Sequence, residues 1–410
     1  VNVKMFGATG DKLTDDTRTF QSAINSHYHV VVPIGGYLVR NLIPSKGLIL
    51  EGVRNAKVAW AGELYPYQNS ELIGNGVAGD YVVKNTIWSG ENKPNSITLK
   101  RLTINGNNKT QNGVLLGDSS YVEDCEITQC DKGVTNLRTG SKVKDCEFHK
   151  NNTGLERATD SKLLYNVFQN NVIGAHLINS NDNDVIGNRF EWNTDTGLVF
   201  ESAVFNKMPN NTMDRNANYG LKLINVTNLT GGGNVIERNL VNNIYIDGMT
   251  ECNIDGNQLI AKNTQDDQTG EVLPQHHIKI VSAHKSSIAR NIVTGNKMFD
   301  PVYQYKSLIN TDGNIVNGVG DTVTTNNSLT IPASTTQSFT IPYPPGTDMW
   351  SAEIVRYKVE IDGNPNHYVQ IKDIEIRKFQ SNVTVYITNS AASSRVYKVY
   401  LTFKKDMFYL

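Results

Sequence analysis

Two carboxylates, each followed by a side chain suited to binding, are the main candidates for chemistry in this sequence. Glu191 and Asp214 take the same place in two neighbouring repeats, and Trp192 and Arg215 follow them directly. Two carboxyl groups on neighbouring strands titrate at different pH values, so one can act as an acid and the other as a base. An indole offers a flat face to a sugar ring, and a guanidinium binds carboxylates. This group predicts hydrolysis of a glycosidic bond.

A second outward column places Glu201 and Asp247 two repeats apart. Neighbouring strands lie about 4.8 Å apart, so these carboxylates are expected roughly 10 Å apart, close to the separation in inverting glycosidases. Asp195 lies in a turn close to the first pair. We therefore expect the catalytic residues among Glu191, Asp214, Glu201, Asp247 and Asp195.

Side chains near these carboxylates could bind the substrate, and some of them could instead catalyse a β-elimination. The candidates for substrate binding are Trp192, Arg215, His176, Lys222, Tyr245 and Glu156. In a β-elimination on a uronate, Lys222, Tyr245 or His176 would be the base. Arg215 would then neutralise the uronate carboxylate. Glu156 stacked on His176 is an alternative pair for the proton abstraction.

No metal or other cofactor is expected. Cys125 and Cys130 have no second cysteine cluster and no paired histidines, so the spacing of a zinc site is missing. The cysteines predicted to be reduced, buried and inert are Cys125, Cys130, Cys146 and Cys252.

One sequence motif, made of short apolar segments with Asn and Gly, recurs through the middle of the chain. The candidate residues lie within this repeat, so its structure must position them. Its first positions follow one another at nearly constant intervals and are Cys125, Cys146, Asn166, Asn188 and Asn211. Later copies, at less regular intervals, are predicted at Asn239, Asn257 and Asn296. This period is typical of a β-solenoid, whose inward asparagines hydrogen-bond from coil to coil. The long intervals before Asn239 and Asn296 predict loops around 231–233 and over 261–275 that wall a groove.

Composition excludes several classes of function. The chain has 410 residues, with 39 basic and 40 acidic side chains and a net charge of −1. Nucleic acids and polybasic membrane contacts require an excess of positive charge, so we expect neither partner. No segment approaches the ~18 apolar residues of a transmembrane helix, which predicts no membrane insertion.

Both ends of the chain differ from the repeat. Thr14–Thr17 followed by Phe20, Ala23 and Ile24 predicts a short helix that covers the open end of the solenoid. From Thr322 onward alternating segments predict a separate antiparallel β-domain that resembles a sandwich. Its predicted strands include Glu353–Ile361, Tyr368–Ile376, Val383–Ile387 and Val396–Phe403.

The opening segment Val1–Asp11, followed by Thr14–Thr17, resembles the N-terminal motif of the pectate-lyase-like right-handed β-helix superfamily. Within that superfamily it is most similar to bacteriophage tailspikes and capsular polysaccharide depolymerases. Val32-Pro33, Gly36–Leu38 and Leu48–Gly52 resemble the next strands. Met5 stands where an acidic residue is usual, and Lys12 stands where Gly is usual. The resemblance implies a polysaccharide substrate, a homotrimer and a C-terminal domain for trimerisation or glycan binding.

The sequence thus predicts an all-β chain in three parts. Residues 1–45 form the opening motif and capping helix, 46–318 a right-handed parallel β-helix, and 319–410 the C-terminal β-domain. The leading hypothesis is a phage depolymerase, in the virion tail or extracellular, that hydrolyses a bacterial surface polysaccharide. The alternatives are a polysaccharide lyase and a non-catalytic glycan-binding adhesin.

Overall fold

The computed structural model describes residues 1–54, 69–85, 95–108, 111–260 and 276–294, and after these a set of strands up to residue 405. The chain divides into two compact units, Val1–Thr294 with Val302–Ile315 and Gly295–Pro301 with Val316–Leu410. The first unit is a solenoid of parallel strands, which confirms the predicted fold class. The predicted domain limits at residues 45 and 318 stay predictions.

Three parallel sheets form the solenoid. Sheet 1 contains Asp11–Asp15, Gly35–Val39, Ser70–Gly74, Thr103–Asn105, Glu126–Thr128, Glu147–His149, Val167–Gln169, Arg189–Glu191, Thr212–Asp214, Val235–Glu237, Gln258–Ile260 and Ile292–Thr294. Sheet 2 contains His29–Val31, Leu48–Glu51, Ile97–Lys100, Tyr121–Glu123, Lys142–Lys144, Lys162–Leu164 and Asp184–Ile186. Sheet 3 contains Tyr81–Lys84, Asn112–Leu115, Lys132–Leu137, Thr153–Ala158, Ile173–Ile178, Thr196–Glu201, Tyr219–Thr227, Asn242–Thr250 and His276–His284. Other strands are Ser286–Ser287, Lys297–Phe299, Ile309–Asn310 and Ile315–Asn317.

The predicted N-terminal helix is present as Thr17–Ser26, after a 3-10 helix at Val3–Phe6. Its fully buried side chains are Phe20, Ala23 and Ile24. The side chain of Asp16 does not cap the helix; it accepts the backbone N–H groups of Thr9 at 2.8 Å and Gly10 at 3.1 Å. Asp16 therefore fastens the opening segment to the start of the helix. No helix in the described residues is long and apolar enough to cross a membrane.

The core is a narrow column, because each coil contributes only a few inward side chains. Phe148, Phe168 and Phe190 come from successive strands of sheet 1, and their rings stack with centroids 4.5 Å and 4.9 Å apart. Stacking of like residues on successive coils explains how a chain with 39% hydrophobic residues still fills its interior.

Two asparagine ladders run along the solenoid, one before and one after the strands of sheet 1. In each step the side-chain oxygen of one Asn accepts the backbone N–H of the previous member, as in Asn188 N to Asn211 Oδ1 at 2.9 Å. The first ladder is Cys146, Asn166, Asn188, Asn211, Asn234, Asn257 and Asn291. The second is Cys130, Asn151, Asn171, Asn193, Asn216, Asn239 and Asn243. The predicted internal ladder is confirmed.

These ladders correct the register predicted for the later repeats. Asn239 belongs to the second ladder, and the residue that follows Asn211 in the first is Asn234. Asn257 follows Asn234 at the same interval, and Asn291 follows after a longer one. The earlier period therefore continues unbroken to Asn257.

The same correction removes one of the two predicted loops. Residues 231–233 are part of a regular coil, and Gly233 occupies a left-handed turn with a φ of 69°. Asn291 accepts the ladder bond from Asn257, and the predicted position Asn296 lies outside the described residues. The predicted loop over 261–275 lies outside the described residues.

All four cysteines are expected to be unreactive in the folded protein. They are buried free thiols, as predicted: Cys125, Cys130, Cys146 and Cys252. Burial raises the pKa of Cys130 to about 12 and also raises the pKa of Cys252, so little reactive thiolate forms. We expect a thiol-specific disulfide reagent to label none of them in the native protein and all four after unfolding in guanidinium. Labelling of the native protein would contradict this burial.

The second unit contains two three-stranded antiparallel sheets. One consists of Thr322–Ile331, Arg395–Lys405 and Ala352–Ile361. The other consists of Thr335–Pro342, Asn382–Asn389 and Ile374–Lys378. The antiparallel C-terminal domain is therefore confirmed, although residues 368–373 of one predicted strand lie outside the described residues.

Candidate functional site

Sheet 1 turns a column of polar side chains outward, one from each strand. In order along the sheet the column is Thr128, His149, Gln169, Glu191, Asp214 and Glu237. The predicted register is correct through Asp214, and Glu237 continues it. Glu191, Asp214 and Glu237 thus occupy three successive strands, each about 4.8 Å from the next.

Asp214, the middle carboxylate, is held by two arginines. Its Oδ2 accepts hydrogen bonds from Arg215 at 2.9 Å and from Arg238 at 2.7 Å, and its Oδ1 accepts a second bond from Arg238 at 2.9 Å. The residue is only 6% exposed. Charge-assisted bonds of this kind fix a side chain strongly, so Asp214 is anchored between its two carboxylate neighbours.

Glu237 has the properties of a proton donor. Burial raises its pKa and the charge of Asp214 raises it further, while Arg238 lowers it. Arg238 also donates a hydrogen bond to Glu237 Oε1 at 2.9 Å. A half-buried carboxyl group with a raised pKa retains its proton closer to neutral pH, as a general acid requires.

Glu191 lies on the other side of Asp214 and is 9% exposed, with its Oε1 bound by Arg189 Nε. Trp192 follows it in a left-handed turn and is 38% exposed. The guanidinium of Arg215 lies 4.8 Å from the centre of the indole, which keeps the ring in place beside the carboxylates. We call this group the carboxylate cluster: Glu191, Trp192, Asp214, Arg215, Glu237 and Arg238.

The other predicted candidates lie on the outward face of sheet 3, except Asp195, which lies in the turn before Thr196–Glu201 and accepts a hydrogen bond from Asn218 at 2.6 Å. Glu156 and His176 are neighbours in one column, with Lys222 and Tyr245 further along it. His176 Nε2 is 2.8 Å from Glu201 Oε2, whereas Glu156 accepts a bond from Lys132 at 2.9 Å. The predicted stacking of Glu156 on His176 is thus present, but His176 hydrogen-bonds Glu201 and Glu156 hydrogen-bonds Lys132, and the role of the stacked pair in proton abstraction stays a prediction.

Two tyrosines surround Lys222 on the same face. Its Nζ lies 5.7 Å from the ring centre of Tyr219 and 5.9 Å from that of Tyr245. Burial raises the pKa of both phenols, Asp195 contributes at Tyr219, and Asp247 contributes at Tyr245. Phenols with raised pKa values keep their protons at neutral pH, so little phenolate of Tyr245 is present to act as the base of a β-elimination.

Sequence reasoning missed Glu237 and Arg238 because it placed the repeat after Asn211 at Asn239. The equal intervals from Asn211 to Asn234 and on to Asn257 were the signal that could have found them. Arg189 was missed for a different reason. It precedes the large apolar residue of its strand, Phe190, whereas the outward columns predicted from the sequence begin only after that residue.

A groove at the N-terminal end of sheet 1, with a volume of about 690 Å³, was also missed. We call it the N-terminal groove, and its lining includes Lys12, Glu71, Asn105, Glu126, Thr128 and His149. Gly36, Glu71 and Thr103 are register partners, yet the chain between them is longer than a regular coil, so the period does not align them. In the described residues no group of three His, Cys, Asp or Glu side chains could hold a metal ion.

Comparison with known families gives two matches. Residues 1–93 match the family described as rhamnogalacturonase A/epimerase, pectate lyase-like. Residues 136–336 match the family described as right-handed β-helix region. The first match covers the opening motif and the first coils, and the second covers the carboxylate cluster.

The curated relatives are phage proteins. A pre-neck appendage protein of Bacillus phage phi29 is 36% identical over 112 residues, which is 27% of this chain and 12% of that protein. The preneck appendage protein of Bacillus phage PZA is 35% identical over the same length. The chain thus matches only 12% of the length of these two relatives. They agree with the predicted location in a phage virion.

Solved structures share the fold at low identity. The Dettilon tailspike protein matches with a TM-score of 0.61 at 16% identity, over 98% of this chain and 94% of that one. The A-module of a mannuronan C-5 epimerase from Azotobacter vinelandii matches with a TM-score of 0.57 at 16% identity, over 77% and 98%. A DFA-IIIase from Arthrobacter chlorophenolicus matches with a TM-score of 0.56 at 13% identity, over 76% and 86%. The chain therefore has the fold of a right-handed β-helix, which it shares with the Dettilon tailspike protein, and its first 93 residues are similar to a pectate-lyase-like family.

Proposed function

We propose that this chain, as part of a phage virion, hydrolyses a bacterial surface polysaccharide at the carboxylate cluster. The observation that carries the proposal is the column Glu191, Asp214 and Glu237 on three successive strands, beside the exposed ring of Trp192. Glu191 and Glu237 are two strands apart, roughly 10 Å, close to the spacing that leaves room for a water molecule in inverting enzymes.

In the proposed reaction Glu237 protonates the oxygen of the leaving sugar as the bond from that oxygen to the anomeric carbon breaks. Glu191 removes a proton from a water molecule, whose oxygen forms the new bond to the anomeric carbon on the opposite face. Asp214 lies between them, where its charge favours the positive charge that develops on the sugar. The two carboxyl groups then return to their starting states by exchanging protons with solvent.

The relatives support a glycan substrate. Phage pre-neck appendage proteins and a tailspike share sequence or fold with the chain, and the epimerase among the structural neighbours is named for mannuronan. Trp192 adds a sugar-binding surface within this chain. The homotrimer implied by the family resemblance stays a prediction, as do the catalytic roles of Asp195, Glu201 and Asp247.

Purified bacterial capsular and exopolysaccharides provide the direct test. We expect incubation with the protein to release fragments with new reducing ends, each heavier by one water than the product of elimination would be. Proton NMR of the first product should show the inverted anomer. An unsaturated product that absorbs in the ultraviolet would replace this mechanism by β-elimination, and binding without any fragments would identify an adhesin.

A further inference from the structure

We propose that the N-terminal groove is a second carbohydrate-binding site, which takes an uncharged sugar unit of the polymer that is cut at the carboxylate cluster. This inference rests on the proposed function for the identity of the polymer. The inference goes beyond the proposed function because it assigns a separate site and excludes a uronate from that site. The groove volume of about 690 Å³ lies within the usual range for small-ligand sites.

One wall of the groove carries the carboxylate of Glu126, a hydrogen-bond acceptor whose position is fixed by its neighbours. Glu126 Oε1 lies 2.6 Å from His149 Nε2, and its Oε2 accepts the hydroxyl of Thr103 at 3.1 Å. His149 Nδ1 lies 3.2 Å from the hydroxyl of Thr128, so the imidazole is held from both sides. The side chains of Glu126 and His149 are 12% and 16% exposed. They reach the surface with restricted freedom, as a binding site requires.

The opposite wall is built around Glu71. Its Oε2 accepts a bond from Lys12 Nζ and its Oε1 accepts one from Asn105, both at 2.9 Å. A carboxylate oxygen can accept about two hydrogen bonds, so Glu71 retains capacity for a sugar hydroxyl. Glu71 and Glu126 are two strands apart, roughly 10 Å, which leaves a space between two acceptors.

Lys12 reaches Glu71 from a strained backbone conformation. Its φ of 64° lies in the left-handed region, which residues other than glycine adopt only at an energetic penalty. Gly36 makes room for the side chain, because a Cβ there would lie 2.4 Å from Lys12 Cγ. The strained residue and the glycine beside it together complete this wall of the groove, which favours a role for the wall in binding.

The charges around the groove select against an acidic sugar. Three carboxylates and two lysines line it: Asp11, Glu71, Glu126, Lys12 and Lys150. Backbone N–H groups of Thr14 and Leu13 lower the pKa of Asp11 to about 2, so it stays ionised at neutral pH. Lys12 is already engaged by Glu71. Hydroxyl groups of a neutral sugar donate well to such carboxylates, whereas an ionised uronate carboxylate has no proton to donate and meets more carboxylates than lysines.

The groove and the carboxylate cluster lie on the same face of sheet 1. His149 pairs with Gln169, and Gln169 pairs with Glu191, so two strand spacings of about 4.8 Å separate the two sites. A polymer lying along the outward column contacts both. The groove would therefore hold a sugar unit of the polymer away from the bond that is cut.

An array of purified neutral and uronate-containing bacterial polysaccharides tests this inference. We expect the protein to bind one or more neutral polysaccharides, and Glu126→Gln to weaken that binding at least about tenfold, as loss of charge-assisted bonds predicts. Lys12→Gly should weaken it as well, while relief of the positive φ keeps the fold at least as stable. This second variant separates loss of binding from loss of folding.

Matched controls lie outside the groove. Glu123→Gln changes the same coil on sheet 2, and Lys285→Gly changes another lysine with a positive φ, 45°. Neither should alter binding. The inference is overturned if no neutral polysaccharide is bound, or if both groove variants bind as the parent protein does. Failure of the proposed hydrolysis would appear differently, as unchanged groove-dependent binding with no release of reducing ends.

Discussion

Glu237→Gln is expected to lower the turnover of polysaccharide hydrolysis by about 10²–10⁴-fold, the usual contribution of a general acid. Glutamine has the shape of Glu237 and can still accept the bond from Arg238, but it has no acidic proton to give to the leaving oxygen. Binding of the polymer should change little, so the loss should appear in kcat and not in KM. Initial rates of reducing-end formation measure both constants.

The pH dependence follows from the direction of the pKa shift. Since burial and Asp214 raise the pKa of Glu237, the parent enzyme should keep its acid protonated to a higher pH than an ordinary glutamate. Turnover should then fall as the pH rises through this raised value. The residual activity of Glu237→Gln should lack that basic limb.

Stability provides the control for this variant. A glutamate whose pKa is raised by folding binds more protons in the native state, so its ionisation lowers stability as the pH rises through the folded value. At neutral pH Glu237→Gln removes that penalty, and its thermal midpoint should not fall below that of the parent. Glu251→Gln, at an exposed position, should leave both activity and stability unchanged. Equal turnover of Glu237→Gln and the parent would remove Glu237 from the mechanism.

Asn193→Ala is expected to destabilise the solenoid by about 3–5 kcal/mol, because several buried groups lose partners at once. Asn193 Oδ1 accepts the backbone and side-chain N–H groups of Asn171 at 3.0 Å and 3.1 Å. Its Nδ2 donates to Phe168 O at 3.1 Å and to Asn216 Oδ1 at 2.8 Å. Alanine replaces none of these four bonds, and the buried backbone N–H of Asn171 loses its acceptor altogether.

Urea unfolding followed by circular dichroism measures this loss. Asn152→Ala is the matched control, because Asn152 is partly exposed and donates its side-chain bond to Asp131 at 2.8 Å. It should cost no more than about 1 kcal/mol. If Asn193→Ala were as mild as the control, the ladder would not be a principal source of stability in these coils.

The repeating sequence pattern was sufficient to predict the solenoid and the residues that stack beside Glu191 and Trp192. Where coils repeat at a nearly constant interval, residues at equal positions must stack, so Asp214 beside Glu191 and Arg215 beside Trp192 followed from counting. The same counting failed at Asn239, which also precedes two apolar residues. Only its hydrogen bonds show that it belongs to the second ladder.

The N-terminal groove could not be predicted by counting at all. Gly36, Glu71 and Thr103 are neighbours in sheet 1, but the chain between them is longer than a regular coil. Unequal insertions leave no period to align, so the proximity of Lys12 and Glu71 became visible only with the strands in place.

The sequence by itself determined the architecture of this protein, since spacing, asparagines and alternating apolar residues are local properties that each coil repeats. It also determined which face of the solenoid carries Glu191 and Asp214. The tertiary structure decided how these groups are used: two arginines anchor Asp214, burial raises the pKa of Glu237, and His176 turns to Glu201. Side-chain pairing and burial depend on groups from other coils, and one coil's sequence does not contain them.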